Sequence, residues 1–233
     1  MDIHTNSYNS FKSKNFPIQP FAIKTKRGKL RVCEVSGKDL KQERFILNLT
    51  KLFCKNFASA TNDPNWRKFT NPKTFDFNKT LENFVKYYRS KIVKADENMT
   101  LLLVKDKRNK IQGACLSYGC DSVPDTKEIT YYIDSIAVNP AYRGFNVGKM
   151  LIEKTLESAR NKFTDAFLAG DKTAKKFYES LGFETLNINN HSQKQIIDYV
   201  SRRRNDIPDY VELYTKPLQK DKPRWYDDIL VSE

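Results

Sequence analysis

The chain has 233 residues, 39% of them hydrophobic, and carries a formal charge of +13 from 41 Lys and Arg against 28 Asp and Glu. That length supports one well-buried domain with extensions, while apolar runs such as Leu101-Leu102-Leu103-Val104 are far too short to cross a bilayer. The first twenty residues hold no apolar signal core, which argues against export and makes the cytoplasm the expected location. Cys33, Cys54, Cys115 and Cys120 are scattered without a Cys-x-x-Cys pair, and the two histidines are His4 and His191. No metal site, Ser-His-Asp triad or Cys-His pair is expected from that set. The positive charge favours anionic partners. Basic clusters stand at 24–29, 105–110 and 202–204, the middle one reading as a solvated hairpin turn. RNA or a ribosomal surface is one such partner, although charge alone identifies none.

Residues 1–28 read as an N-terminal extension, partly ordered by its aromatics and broken by Phe16-Pro17 and Gln19-Pro20. The core begins at the alternating strand Leu30–Val35. Asp39 then caps a helix whose Phe45, Leu49, Leu52 and Phe53 share a face. After a loop carrying Asn62-Asp63-Pro64 and Asn71-Pro72, a second helix bears Leu81, Phe84, Val85, Tyr88 and Ile92 on one stripe. Residues 100–104 and 111–118 flank a charged turn as a hairpin, and 128–138 is a long strand. Ala166–Ala169 is a short strand. Residues 184–188 and 210–216 form a final antiparallel pair, with a helical insertion at about 191–207 between them and a tail at 219–233.

The most informative segment follows the long strand. Asn139-Pro140 ends that strand, and Arg143-Gly144-Phe145-Asn146-Val147-Gly148 leads into a helix with Ile152, Leu156, Ala159 and Phe163 as its apolar stripe. A helix opening from a Gly-containing loop directs unpaired N–H groups and a positive dipole end at one spot, which suits phosphate. Arg143 and Lys149 add charge there. The spacing is not that of a P-loop, since only three residues separate Gly144 from Gly148 and Lys149 precedes Met150. Nor does it supply the three glycines of the dinucleotide fingerprint.

The loop, with its lead-in Val138-Asn139-Pro140-Ala141-Tyr142-Arg143-Gly144, resembles the cofactor loop of the GNAT superfamily of N-acetyltransferases. A second block, from Asp171 through Ala174, Phe177 and Tyr178 to Gly182-Phe183, is similar to that family's Asn-x-x-Ala-x-x-apolar-Tyr-x-x-x-Gly-Phe pattern. By itself this block is also an ordinary core-facing helix with a glycine stop. Asn146 stands where a glycine is usual and Asp171 where an Asn is usual. Asn tolerates a left-handed backbone. The carboxylate would weaken anion binding unless Lys172, Lys175 or Lys176 compensates. The resemblance covers about 29–218.

The resemblance implies an α/β (α+β) fold: a mixed, mostly antiparallel sheet whose two central parallel strands splay apart, with flanking helices. It implies an acyltransferase, moving acetyl from acetyl-CoA to a primary amine by direct attack in a ternary complex. The cofactor would be held by Ile136, Ala137 and Val138, by Arg143 to Lys149 (Arg143, Gly144, Phe145, Asn146, Val147, Gly148, Lys149), and by Asp171 and Ala174. Tyr178 would protonate the departing thiolate, and the Val138 N–H would meet the oxyanion. For the base, Asp134 shares strand parity with Ile136 and Val138, and a carboxylate in an apolar strand must be paired or face a cavity. Tyr132 and Glu128 are the other candidates, and a satisfied structural Asp134 is the alternative. Cys115 reads as a core thiol, with an acyl-carrier role as the less favoured alternative. The acceptor, whether a small molecule, a protein or aminoacyl-tRNA, has no diagnostic motif; Phe53, Trp66, Phe69, Tyr87 and Tyr88 are candidate pocket aromatics. The competing class is a non-catalytic acyl-CoA-binding or RNA-associated module, and a toxin-like enzyme acting on charged tRNA also accords with the charge. A monomer or homodimer is expected.

Overall fold

The computed structural model describes residues 18–35, 42–60, 81–82, 85–89, 99–121, 129–186, 211–219, 222 and 224. Among the described residues eight strands form one sheet: β1 (Phe21–Thr25), β2 (Gly28–Glu34), β3 (Thr100–Lys105), β4 (Ile111–Asp121), β5 (Ile129–Val138), β6 (Asp165–Asp171), β7 (Glu184–Thr185) and β8 (Val211–Pro217). Their spatial order is β1-β2-β3-β4-β5-β6-β8-β7. Every pairing is antiparallel except β5 with β6, which is parallel. The mixed, mostly antiparallel sheet is therefore the one anticipated.

Alternation sorts each strand's side chains onto two faces, and each face has its own core. On one face, Leu30, Val32, Leu102, Val104, Tyr131 and Ile133 pack with α2 (Val147–Ala159) and α3 (Lys175–Ser180). On the other, Leu101, Leu103, Ala114 and Leu116 pack beneath α1 (Glu43–Ala60) and Tyr88. The α1 stripe is as read: Phe45, Leu49, Leu52 and Phe53 are all buried. Phe53 stacks on Tyr88 at 4.7 Å between centroids. Leu81 and Tyr88 are buried within helical residues 81–82 and 85–89. Asp39, Phe84, Ile92, Glu128, Trp66, Phe69, the loop at 62–72 and the expected insertion at 191–207 lie outside the described residues. No helix among the described residues is long and apolar enough to cross a membrane.

Parts of the expected extension and tail take part in the sheet. Within the extension expected at 1–28 lies β1, which pairs along its whole length with β2. Phe21 and Ile23 pack on the α2 face and account for the pairing. The tail expected at 219–233 also contributes, because Arg224 Nε lies 2.8 Å from Asp165 Oδ1 and its Nη2 lies 3.2 Å from Thr215 Oγ1. Asp165 is fully buried. Removing the cation would take its charge partner from a buried carboxylate. Arg224→Ala is therefore expected to cost about 3 kcal/mol, measured as a shift in the denaturant midpoint.

Candidate active site

Strands β5 and β6 pair only through Tyr131–Ala166, Tyr132–Phe167 and Ile133–Leu168. Beyond these, β5 stays with β4 through Val138 and β6 stays with β8 through Asp171, so the two diverge. A cleft of about 650 Å³ opens in the resulting V. It is lined by residues 133–138 of β5, by 168–171 of β6, by the loop and first turn of α2, and by Ala174, Phe177 and Tyr178.

The exposed edge of β5 carries usable hydrogen-bonding groups. Asn139 N–H bonds Gln112 O on the β4 side at 2.8 Å. Peptide direction alternates along a strand, so Ala137 also faces β4, while Ile136 and Val138 turn their backbone groups toward the open side. Ala137 packs its side chain into the α1-side core, and its neighbours Ile136 and Val138 pack theirs on the α2 side.

At the mouth, Asn139 Oδ1 accepts from Ala141 N and caps the short 3-10 turn Pro140–Tyr142. Gly144 then takes φ +78° and Asn146 takes φ +59°, ψ +14°. The left-handed Asn146 is the N-cap of α2, so Asn keeps the turn that a glycine would make. The first intrahelical bond is Met150 N–H to Asn146 O at 2.9 Å, which leaves the amides of Val147, Gly148 and Lys149 without an intrahelical acceptor. Those amides and the positive end of a 13-residue helix face one patch of the cleft. Arg143 borders the same patch; its Nη2 donates to Asn56 Oδ1 of α1 at 2.7 Å, and its Nε donates to Val138 O at 3.3 Å. Lys149 pairs loosely with Glu153 at 3.8 Å. Phe145 does not join the lining residues, because its side chain packs against the core. Asn146→Gly is expected to leave the denaturant midpoint nearly unchanged, because glycine takes the same left-handed conformation. Asn146→Ala should cost about 1 kcal/mol, because Ala resists the left-handed region.

Across the cleft, Asp171 lines the wall and caps the 3-10 turn Lys172–Ala174, its Oδ1 accepting from Thr173 N at 2.7 Å. An Asn side-chain oxygen would make the same bond, so the local structure tolerates the exchange. Lys175 does not offset this charge: its ammonium lies 4.0 Å from Glu179 and 3.9 Å from Glu212. Helix α3 is held close by two small residues. A Cβ on Gly148 would meet Phe177 Cζ at 3.3 Å, and one on Gly170 would meet Tyr178 Cε2 at 2.7 Å. The Tyr178 ring thus lies against the β6 backbone, with Tyr214 at 4.9 Å between centroids. Its hydroxyl has no hydrogen-bond partner among the described residues, although the ring is buried and borders the cleft. Burial, then the nearby Cys115, Tyr132 and Asp171, holds the hydroxyl well above the ordinary phenol range, so the proton is retained.

Asp134 also lines the cleft, but not as its parity predicts. Leu116 pairs with Ser135 and Ser117 with Ile133, leaving Asp134 as the extra residue of a β-bulge. The bulge turns Asp134 onto the α1 face, opposite Ile136 and Val138. There Oδ1 accepts from Tyr87 at 2.7 Å and from Tyr118 at 3.0 Å, and Oδ2 accepts from the Ser135 hydroxyl at 2.8 Å. Tyr88 lies 2.9 Å from the same serine hydroxyl. Burial first, and then the Asp134 charge, pushes the Tyr87 and Tyr118 hydroxyls far above their usual range; both stay neutral donors to the carboxylate. Tyr132 is buried on that face between Tyr118 and Phe167. Phe53 and Tyr88 are core residues, whereas Tyr87 is 44% exposed. Cys115 is fully buried, its thiol pushed up to about 12 by burial, and does not line the cleft. No group of His, Cys, Asp and Glu suited to a metal occurs among the described residues.

Asn56, Tyr118, Ser135 and Gly170 were not singled out from the sequence as site residues. Asn56 had a signal, being a polar residue three and four positions beyond Phe53 and Leu52 on an apolar stripe.

A sequence model described as the acetyltransferase (GNAT) family matches residues 63–183, more than half of the chain. No curated protein sequence matches. Among solved structures, a protein of Pyrococcus horikoshii OT3 superposes with a TM-score of 0.54 at 12% identity, covering 81% of this chain and 98% of that one. An acetyltransferase of the GNAT family from Staphylococcus aureus Mu50 gives 0.47 at 15% identity, covering 82% and 99%. The PaiA N-acetyltransferase of Thermoplasma acidophilum, in complex with coenzyme A, gives 0.45 at 11% identity, covering 81% and 98%. The family match spans the splayed strand, the amide-rich loop and the Tyr178 helix described above: the chain belongs to the acetyltransferase (GNAT) family.

Proposed function

We propose that this protein transfers an acetyl group from acetyl-CoA to a primary amine by direct attack in a ternary complex. The observation that carries this reading is the V-shaped cleft, which has the unpartnered Tyr178 hydroxyl on one wall and the Asp134 carboxylate on the other. The groups present suit the donor: free amides at 147–149 for a pyrophosphate, and the outward backbone of Ile136 and Val138 for the amide-bearing arm. Acetyl-CoA supplies an activated thioester when bound.

In this reading Asp134, directly or through water, takes a proton from the incoming ammonium, which at neutral pH is mostly protonated. The new N–C bond forms as the C–S bond breaks, and the Val138 N–H stabilises charge on the acyl oxygen. Tyr178 delivers its proton to the leaving sulfur, and the second proton that the nitrogen sheds as the amide forms returns to the phenolate, directly or through water. Tyr87, Tyr118 and Ser135 fix the Asp134 carboxylate so that it meets the amine from the α1 side. Tyr132 is less suited to be the base, because it is almost wholly buried among rings.

Tyr178→Phe is expected to lower kcat by about 100-fold or more in a thiol-release assay, with acetyl-CoA affinity nearly unchanged. An equal loss of affinity and turnover overturns its role. Because its hydroxyl sits above the ordinary phenol value near 10, the rate should not fall through about pH 10 from loss of this acid. Asp134→Asn keeps an acceptor but removes the charge. It is expected to cut kcat by about 100-fold or more while the thermal midpoint stays within a few degrees. A panel of peptides, polyamines, aminoglycosides and aminoacyl-tRNA tests the acceptor class. Donor binding with no turnover on any of these would favour a non-catalytic acyl-CoA-binding module.

A further inference from the structure

Two basic clusters that are more than seventy residues apart in the chain meet at one end of the sheet. The β1–β2 turn at 26–27 and the β3–β4 turn at 106–110 lie at the same end, because Arg31 pairs with Lys105 across β2 and β3. Arg31 Nη2 bridges the hairpins by donating to Asn109 Oδ1 at 3.2 Å. A shallow groove of about 460 Å³ runs between Phe21–Ala22 and Asp106–Asn109, with Lys29, Arg31 and Lys107 on its walls.

The register makes this more than a lysine-rich rim. Lys24 is paired directly with Lys29, and Arg31 directly with Lys105. Leu30 and Val32 point into the α2-side core, so Lys29 and Arg31 project from the opposite face, and each shares that face with its cross-strand partner. Two like-charge pairs set side by side across three strands are destabilising. Lys26 and Arg27 on one turn, and Lys107 and Arg108 on the other, raise the potential further, and all four are exposed. The carboxylate among them, Asp106, is already engaged by Arg108 N, Lys110 N and the Gln112 side chain.

We propose that this end of the sheet binds the sugar-phosphate backbone of a nucleic acid, a function separate from acetyl transfer. A phosphate chain neutralises closely spaced cations and needs no apolar anchor. A protein partner would be expected to meet exposed aromatic or aliphatic anchors, and a membrane would need an apolar edge to insert. The exposed large hydrophobics among the described residues are Leu47 and Tyr87, and neither is in this patch.

The test uses the full chain, a fluorescent single-stranded RNA of about 20 nucleotides and a DNA of the same sequence, with anisotropy followed across a salt series. Lys29→Glu combined with Lys105→Glu turns both like-charge pairs into opposite-charge pairs. The double variant should bind nucleic acid at least tenfold more weakly, with a salt slope smaller by about 1.4, while Tm is unchanged or higher. Acetyl-CoA affinity should not move. Lys55→Glu combined with Lys162→Glu makes the same change in net charge elsewhere and should retain affinity within about threefold, since the contacts are local. The proposal is overturned if the two double variants lose affinity equally, or if the first loses none. It is also overturned if the first weakens acetyl-CoA binding instead, or if the wild type binds phosphatidylserine vesicles but neither nucleic acid.

Discussion

The parting of β5 from β6 after three residue pairs is the constraint on which everything else at this site rests. Parallel neighbours in a continuous sheet would exchange backbone hydrogen bonds along their whole length. Here two strands each keep their outer partner and release the inner one, so an open strand edge lies in the middle of the molecule. What holds the wedge open is visible on both sides. On the α1 side, the bulge at Asp134 bends β5, as an extra unpaired residue does. On the α2 side, the Tyr178 ring sits against Gly170, where no larger residue would fit without displacing it.

The same two features position the polar groups of the cleft. The bulge puts the carboxylate on the face opposite the strand's aliphatic side chains, among phenols that donate to it. The close packing of α3 onto β6 sets a neutral phenol hydroxyl at the cleft with no other task. Between them, the α2 amides gather at the open end, and the Phe177–Gly148 contact ties α2 to α3. Phenol, carboxylate and amide cluster are thereby referenced to one framework rather than to three separate loops.

Much of this could be read from the residues. Strong alternation in 30–35, helical spacing in Phe45, Leu49, Leu52 and Phe53, and the Asn139-Pro140 stop each reflect a local physical preference, and each element formed where expected. The left-handed Asn146 followed from its short polar side chain. The facing of Asp134 departs from strand parity for an equally physical reason. Parity counting assumes an unbroken pleat, and a bulge shifts it by one residue without leaving a mark in an apolar strand. The Asn56–Arg143 bond and the Tyr87–Asp134 bond join positions 87 and 47 residues apart, so no local pattern encodes them. Strand β1 is harder to read than its partner β2, because it is short, follows Gln19-Pro20 and carries only Phe21 and Ile23 as inward apolar residues.

A sheet divided this way behaves as two plates hinged on a narrow seam. One plate runs from β1 to β5 and the other from β6 to β7, and each is laced internally by antiparallel bonds. A molecule lying in the gap and bonding to both rims would act as a rivet, and its binding free energy would add to cohesion of the whole fold. Supply of the acyl donor would then govern lifetime as well as catalysis, leaving the starved protein more open to proteolysis than the fed one.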